Sequence, residues 1–209
     1  MAKKIHIAAL LSGGGRTLEN FFNCIDSGDL NAEITSVISS TPKAYGLKRA
    51  AKRNVPTAVF MRKNYSDDES YSRDIFAFLS ERPCDLVCLA GFLKFLYIPP
   101  EWYGRVMNIH PALLPSFGGK GLYGDIVHKA VLDSGAKVSG CTVHFVDNKY
   151  DNGPIIIQRA VPVFYEDTPD ALAARVFDEE CIAYPEAIRL FIEERLQVID
   201  SKVKIVSQS

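Results

Sequence analysis

The stretch Ile5-His6-Ile7-Ala8-Ala9-Leu10-Leu11-Ser12-Gly13-Gly14-Gly15-Arg16-Thr17 decides the fold. Ile5 to Leu11 is a short apolar run closed by polar residues, the pattern of a strand buried on both faces. Beyond the glycines, Leu18, Phe21, Phe22 and Ile25 recur at the spacing of one helical face, and Asp26-Ser27-Gly28 ends the segment. Strand, glycine loop and helix in that order open an α/β chain. In such a loop, backbone N–H groups converge at a helix N-terminus, where the dipole favours an anion. Gly13, Gly14, Gly15, Arg16 and Thr17 are therefore candidate phosphate ligands. A plain tight turn is the alternative, although three consecutive glycines exceed what a turn requires. The loop lacks the later glycine of G-x-G-x-x-G and the Lys-Ser/Thr of a P-loop, which argues against a dinucleotide or an ATP fingerprint.

The alternation continues along the chain. Ala32 to Ser39 reads as a second strand, Ala44 to Arg53 as a basic helix and Thr57 to Met61 as a third strand. Ser66-Asp67-Asp68-Glu69 has the form of a capping box and predicts a helix running towards Ser80. Cys84 to Ala90 is an apolar fourth strand. After the glycine-rich segment Ser116 to Gly124, a helix carries His128 and Val131, with His128 expected on its surface. Gly119-Lys120 is not a P-loop, because Gly121 stands where Ser or Thr is needed. Val138 to Val146 alternates as a strand with Thr142, His144 and Val146 on one face, and Ile155 to Phe164 reads as another. Thr168-Pro169-Asp170 supplies an N-cap, a proline at the first helical position and an early acid for a helix towards Arg195. Val198-Ile199 and Val203 to Val206 are candidate hairpin strands. Strands and helices linked this closely select α/β architecture, a single doubly wound, mostly parallel sheet flanked by helices.

The length of 209 residues suits one domain, taken as residues 1–195, with 196–209 as a C-terminal tail. A hydrophobic fraction of 47%, a charged fraction of 23% and a net charge of −1 lack the basic excess that nucleic-acid binding demands. The apolar run after Met1-Ala2-Lys3-Lys4 ends at Leu11, too short for a secretory segment or a membrane span, so a cytoplasmic protein without a membrane partner is expected. Cys24, Cys84, Cys88, Cys141 and Cys181 are odd in number and contain no Cys-x-x-Cys pair, which reads as reduced thiols rather than a metal site.

The chemistry is concentrated in Val106-Met107-Asn108-Ile109-His110-Pro111-Ala112-Leu113-Leu114-Pro115-Ser116-Phe117. If its start is a strand, Asn108 and His110 lie two apart on one face, and Pro111 stops the strand so that both sit at the sheet's edge, where α/β sheets bind ligands. An imidazole moves protons near neutral pH, and a carboxamide donates to an oxygen gaining negative charge, a pair suited to acyl transfer. A backbone-satisfying Asn beside a turn His remains open on spacing alone.

The run Asn108-Ile109-His110-Pro111-x-Leu113-Leu114-Pro115 resembles the signature of the folate-dependent formyltransferases, and the resemblance extends from about Ile5 to Ile192. It implies a Rossmann-like formyltransferase fold and transfer of the formyl group of 10-formyltetrahydrofolate to the amine of glycinamide ribonucleotide, in purine biosynthesis, without a metal. It implies Asn108, His110 and Asp151 as catalytic residues, the Asp151 carboxylate favouring the imidazolium form of His110. The glycine loop Gly13, Gly14, Gly15, Arg16 and Thr17 would hold the ribose 5′-phosphate, with Arg16-Thr17 where the family commonly has Ser-Asn. Phe177 and Glu180 would contact the ribonucleotide. Leu93, Lys94, Phe95, Leu96, Asp147, Asn148, Lys149 and Tyr150, with Asn108 and Asp151, would line the folate. The family often carries an Arg where Asp68 stands; Arg62 and Arg73 are neighbours in sequence. On the residues alone, Gly91 to Leu96 reads as core packing, Asp151-Asn152-Gly153-Pro154 as a turn and Glu180 as an exposed helical acid, and His144 as a buried supporting histidine.

Three rivals share parts of this pattern. A formyl-folate hydrolase would use water in place of the amine and is expected to carry an N-terminal regulatory domain. A methionyl-tRNA formyltransferase is expected to need a further C-terminal domain. A non-catalytic phosphate-ligand binding protein would need the glycine loop without Asn108, His110 and Asp151.

Overall fold

The computed structural model describes residues 4–207. Met1 to Lys3, part of the charged start weighed above, and Gln208 and Ser209 lie outside the described residues. The chain divides between Asn108 and Ile109 into two compact units.

The first unit holds β1 (Ile5–Leu11), α1 (Arg16–Asp26), β2 (Ala32–Ser39), α2 (Tyr45–Lys52), β3 (Thr57–Val59), α3 (Asp68–Ser80) and β4 (Leu86–Leu89); β5 (Val106–His110) crosses the division. β1 runs parallel to β2 and β4, β2 to β3, and β4 to β5. From β1 the chain winds outward through β2 to β3 and then returns to the other side of β1 with β4. The carboxyl ends of β1 and β4 therefore form the switch point at which doubly wound sheets bind ligands. Ile7 to Leu11 have no exposed surface, which is why β1 reads as an unbroken apolar run. Leu18, Phe21 and Phe22 form the buried stripe of α1, and truncating a core side chain of this kind to Ala costs ~2–5 kcal/mol.

The element ends differ from expectation where propensity gives way to pairing. β3 stops at Val59 and β4 covers only Leu86 to Leu89, because only those residues find ladder partners. The N-cap of α3 is Asp67 and not Ser66: its carboxylate accepts from Ser70 N–H at 2.7 Å, while the Ser66 hydroxyl donates to Asp67 at 2.9 Å. An ionised oxygen is the stronger acceptor for that orphan N–H.

The second unit contains α4 (Asp125–Asp133), β6 (Val138–Phe145), β7 (Ile155–Pro162), α5 (Pro169–Ile192) and an antiparallel hairpin of β8 (Leu196–Ile199) and β9 (Lys202–Ile205). β6 and β7 pair antiparallel with a register shift between Val143 and His144. α5 starts as the sequence predicts, Thr168 accepting from Ala171 N–H at 3.2 Å and Pro169 opening the first turn. The strand order is β3-β2-β1-β4-β5-β6-β7, a mostly parallel seven-stranded sheet flanked by helices. Among the described residues no helix is long and apolar enough to cross a membrane.

Candidate active site

In the first unit the glycine loop is braced from behind. Gly15, the N-cap of α1, has φ +71, and a Cβ there would lie 2.7 Å from the Gly46 Cα. Left-handed backbone and close approach together require glycine. Gly46 N–H donates to Gly13 O at 3.1 Å, and Arg49 donates through Nε to Gly14 O at 2.9 Å while pairing with Glu19 at 2.7 Å. Around Gly13 and Gly14 an added Cβ meets nothing within 4 Å. Sequence reading saw the basic helix but not that Arg49 holds the loop, because a side chain bonded to a backbone carbonyl leaves no pattern in the chain.

The segment after β4 splits in two. Leu93 and Lys94 are exposed and Phe95 half-buried, while Leu96 is buried in the core with Phe92, whose ring stacks on Tyr71. Of the two cations near Asp68, Arg62 pairs with that carboxylate and donates to Tyr65 O at 2.8 Å, whereas Arg73 lies beside Asp74.

In the second unit, β5 ends at His110, whose side chain is 4% exposed. Nε2 lies 2.8 Å from Phe117 O, and Nδ1 lies 3.6 Å from the Asp151 carboxylate. A carbonyl only accepts, so Nε2 carries the hydrogen, while the carboxylate faces Nδ1 from just beyond hydrogen-bond distance. Asp151 has φ +49, a left-handed conformation that Asp and Asn tolerate, and it also accepts from Gly119 N–H at 2.9 Å. The expected turn and the expected carboxylate are thus one residue. His144 stands 3.9 Å from the same carboxylate, with Nδ1 donating to Phe145 O at 2.8 Å, and burial pushes its pKa below the ordinary histidine value.

His128 corrects an expectation: it is 4% exposed, not a surface residue. Val127, His128 and Val131 form the inward stripe of α4, burial lowers the histidine's pKa, and its Nδ1 has no hydrogen-bond partner among the described residues.

The chain after His110 is clamped by residues that the motif reading missed. Thr142 donates to Ala112 O at 2.7 Å and accepts from Leu114 N–H at 3.0 Å, and Gln158 donates to Leu114 O at 2.9 Å. Thr142 could have been found, since it shares a strand face with His144; Gln158 carries no such signal. Asp147 shapes the next loop by accepting from Lys149 N–H at 2.9 Å and Asn152 Nδ2 at 2.7 Å, leaving Lys149 and Tyr150 exposed and Asn148 half-buried. Phe177 and Glu180 are half-buried on α5. Glu180 acts on the Cys141 thiol, which burial first and this charge second push up to about 12. The five cysteines form no disulfide, and among the described residues no group of three or more His, Cys, Asp or Glu could hold a metal ion. An open groove along β7 and α5 holds Arg159, paired with Glu179 and Glu186 at 3.2 Å, and none of the motif residues lines it.

A glycine loop at a doubly wound switch point and a strand-end histidine facing a carboxylate together describe a formyl transferase. The chain belongs to that family, whose model matches residues 5–188. Within it the chain is similar to the phosphoribosylglycinamide formyltransferase of Haemophilus influenzae, 38% identical over 197 residues, covering 93% of this chain and 91% of that protein. The crystal structure of glycinamide ribonucleotide transformylase 1 from Symbiobacterium toebii superposes with a TM-score of 0.90 at 38% identity, covering 98% of this chain and 95% of that one. The trifunctional purine biosynthetic protein adenosine-3 of Gallus gallus is 40% identical over 93% of this chain, which spans 19% of that longer protein.

Proposed function

We propose that this chain transfers the formyl group of 10-formyltetrahydrofolate to the amine of N1-(5-phosphoribosyl)glycinamide, a step of de novo purine biosynthesis in the cytoplasm, with residues 1–195 as the catalytic domain. The amine nitrogen attacks the formyl carbon, that C–N bond forms, and the bond from the carbon to N10 of the folate breaks. The Asn108 carboxamide donates to the oxyanion while the positive charge of His110, in its protonated form, stabilises it. The amine gives up one proton and N10 gains one; His110 and Asp151, with water between, carry it. Gly13, Gly14, Gly15, Arg16 and Thr17 hold the phosphate, Phe177 and Glu180 meet the ribonucleotide, and Leu93 to Leu96 with Asp147 to Asp151 line the folate. Arg62 pairs with Asp68, the residue that stands where the family often carries an arginine.

The observation that carries this reading is the His110 ring, held with one nitrogen at a carbonyl and the other towards a carboxylate. The test is consumption of 10-formyltetrahydrofolate with and without the ribonucleotide. Consumption that needs the ribonucleotide and yields its formylated product supports the reading; consumption without it makes the chain a hydrolase, and none under either condition leaves a binding protein.

A further inference from the structure

The ends of β1, β2 and β4 meet at one side chain. Ser12, half-buried directly before the glycine loop, donates through its backbone N–H to Gly91 O at 2.9 Å. Its hydroxyl oxygen accepts from Leu93 N–H at 2.9 Å and lies 2.6 Å from the Ser40 hydroxyl. Ala90 N–H donates to Leu10 O at 2.7 Å and Ser40 N–H to Leu11 O at 3.1 Å, so the framework on either side of these contacts is fixed by the sheet. Past the strand ends, the hydroxyl is a side-chain link between the loop of Gly13 to Gly15 and the segment that begins at Leu93. Leu93 is exposed, so its N–H has water as an alternative partner and gives the fold little reason to need Ser12.

We propose that Ser12 is a positioning residue that couples the two substrate loops, so that ordering the glycine loop around a phosphate also orders the Leu93 segment for the folate, and the reverse. The proposal rests on the assignment of those loops given above. Two segments that share one hydrogen-bonded junction share the cost of being ordered, and whichever ligand binds first meets it for both. Linkage of this kind is reciprocal: each ligand must tighten the other by the same factor.

The experiment is calorimetric titration of the protein with the ribonucleotide, without and with tetrahydrofolate, the product that lacks a formyl group and cannot react. The expected result is a roughly 3- to 10-fold tighter ribonucleotide in the presence of the folate, the size of one net hydrogen bond. In Ser12→Ala the factor falls to about one while each ligand alone still binds and kcat at saturation changes little; Ser12→Thr, which keeps the hydroxyl, restores it. A second readout needs no variant: hydrogen exchange at the Leu93 amide slows when the ribonucleotide alone is added. A linkage factor that survives Ser12→Ala, or a Leu93 amide indifferent to the ribonucleotide, overturns the proposal. Wild-type protein that binds both ligands without linkage overturns it and leaves the loop assignment standing, whereas protein that binds neither ligand removes the assignment itself.

Discussion

Asp151 allows charge and shape to be separated by one atom. At φ +49 the backbone accepts Asn as readily as Asp, and an amide oxygen still accepts from Gly119 N–H. Asp151→Asn is therefore expected to leave the melting temperature nearly unchanged while turnover falls by ~10² or more, because His110 loses its anionic partner. A turn residue without a catalytic role would leave turnover unchanged as well, and steady-state rates beside a melting curve decide the matter. His110→Ala or Asn108→Ala is expected to reduce turnover by at least ~10²-fold with folate binding largely retained, the loss typical of a proton-transfer group or an oxyanion donor. The strand-end placement of Asn108 and His110 was legible from a period of two and a following proline, whereas a catalytic role for them was implied by resemblance. Asp151 was legible only through resemblance, since a turn composition masks it. Arg49 and Gln158, which bond to backbone carbonyls, and His128, which a helix turns inward, had no pattern to betray them.

Secondary structure was most legible where a local cap and a long-range pattern agree. α5 illustrates this: Thr168, Pro169 and the following apolar spacing all mark one start, and the helix begins there. Thr168→Ala should lower stability by ~1 kcal/mol, a fall of ~2–4 °C in Tm for a chain of this size, readable by calorimetry without loss of turnover. Strand ends were less legible: β3 stops at Val59 opposite the last residue of β2, whereas β4 stops at Leu89 although β1 runs on to Leu11 and β5 to His110, and no residue in either strand records it. The glycine loop gives a sharper contrast. Gly14→Ala meets open space, so it should fold normally and weaken the ribonucleotide only where backbone must approach the phosphate. Gly15→Ala has to enter left-handed backbone against Gly46 and should lose stability as well as affinity. Equal Tm values for the two variants would contradict the bracing of the loop by α2.

The pH dependence of stability belongs to the chain as a whole. His128 and His144 are buried as neutral rings with lowered pKa values, so below about pH 6.5 the unfolded chain binds more protons than the folded one. Stability is expected to decline as pH falls through that range, and denaturant midpoints at pH 5.5 and 7.5 should differ accordingly. Asp167 adds a second step: hydrogen bonds from the Arg175 guanidinium hold its carboxyl at about 2, so its contribution is complete above the unfolded value near 4 and is lost as pH falls towards 2. Asp167→Asn should remove that step and leave the histidine one. The sheet itself was legible from alternating strand and helix patterns, whereas the division after Asn108 was not, because contact density across a strand has no counterpart in composition. A Cβ on Gly153 would sit 1.9 Å from the Phe145 carbonyl oxygen, while one on Gly28, at φ +83, would meet nothing within 4 Å. In a codon-randomised gene library selected for growth without added purines, every replacement at 153 should disappear on steric grounds alone, while Asn and Asp codons persist at 28.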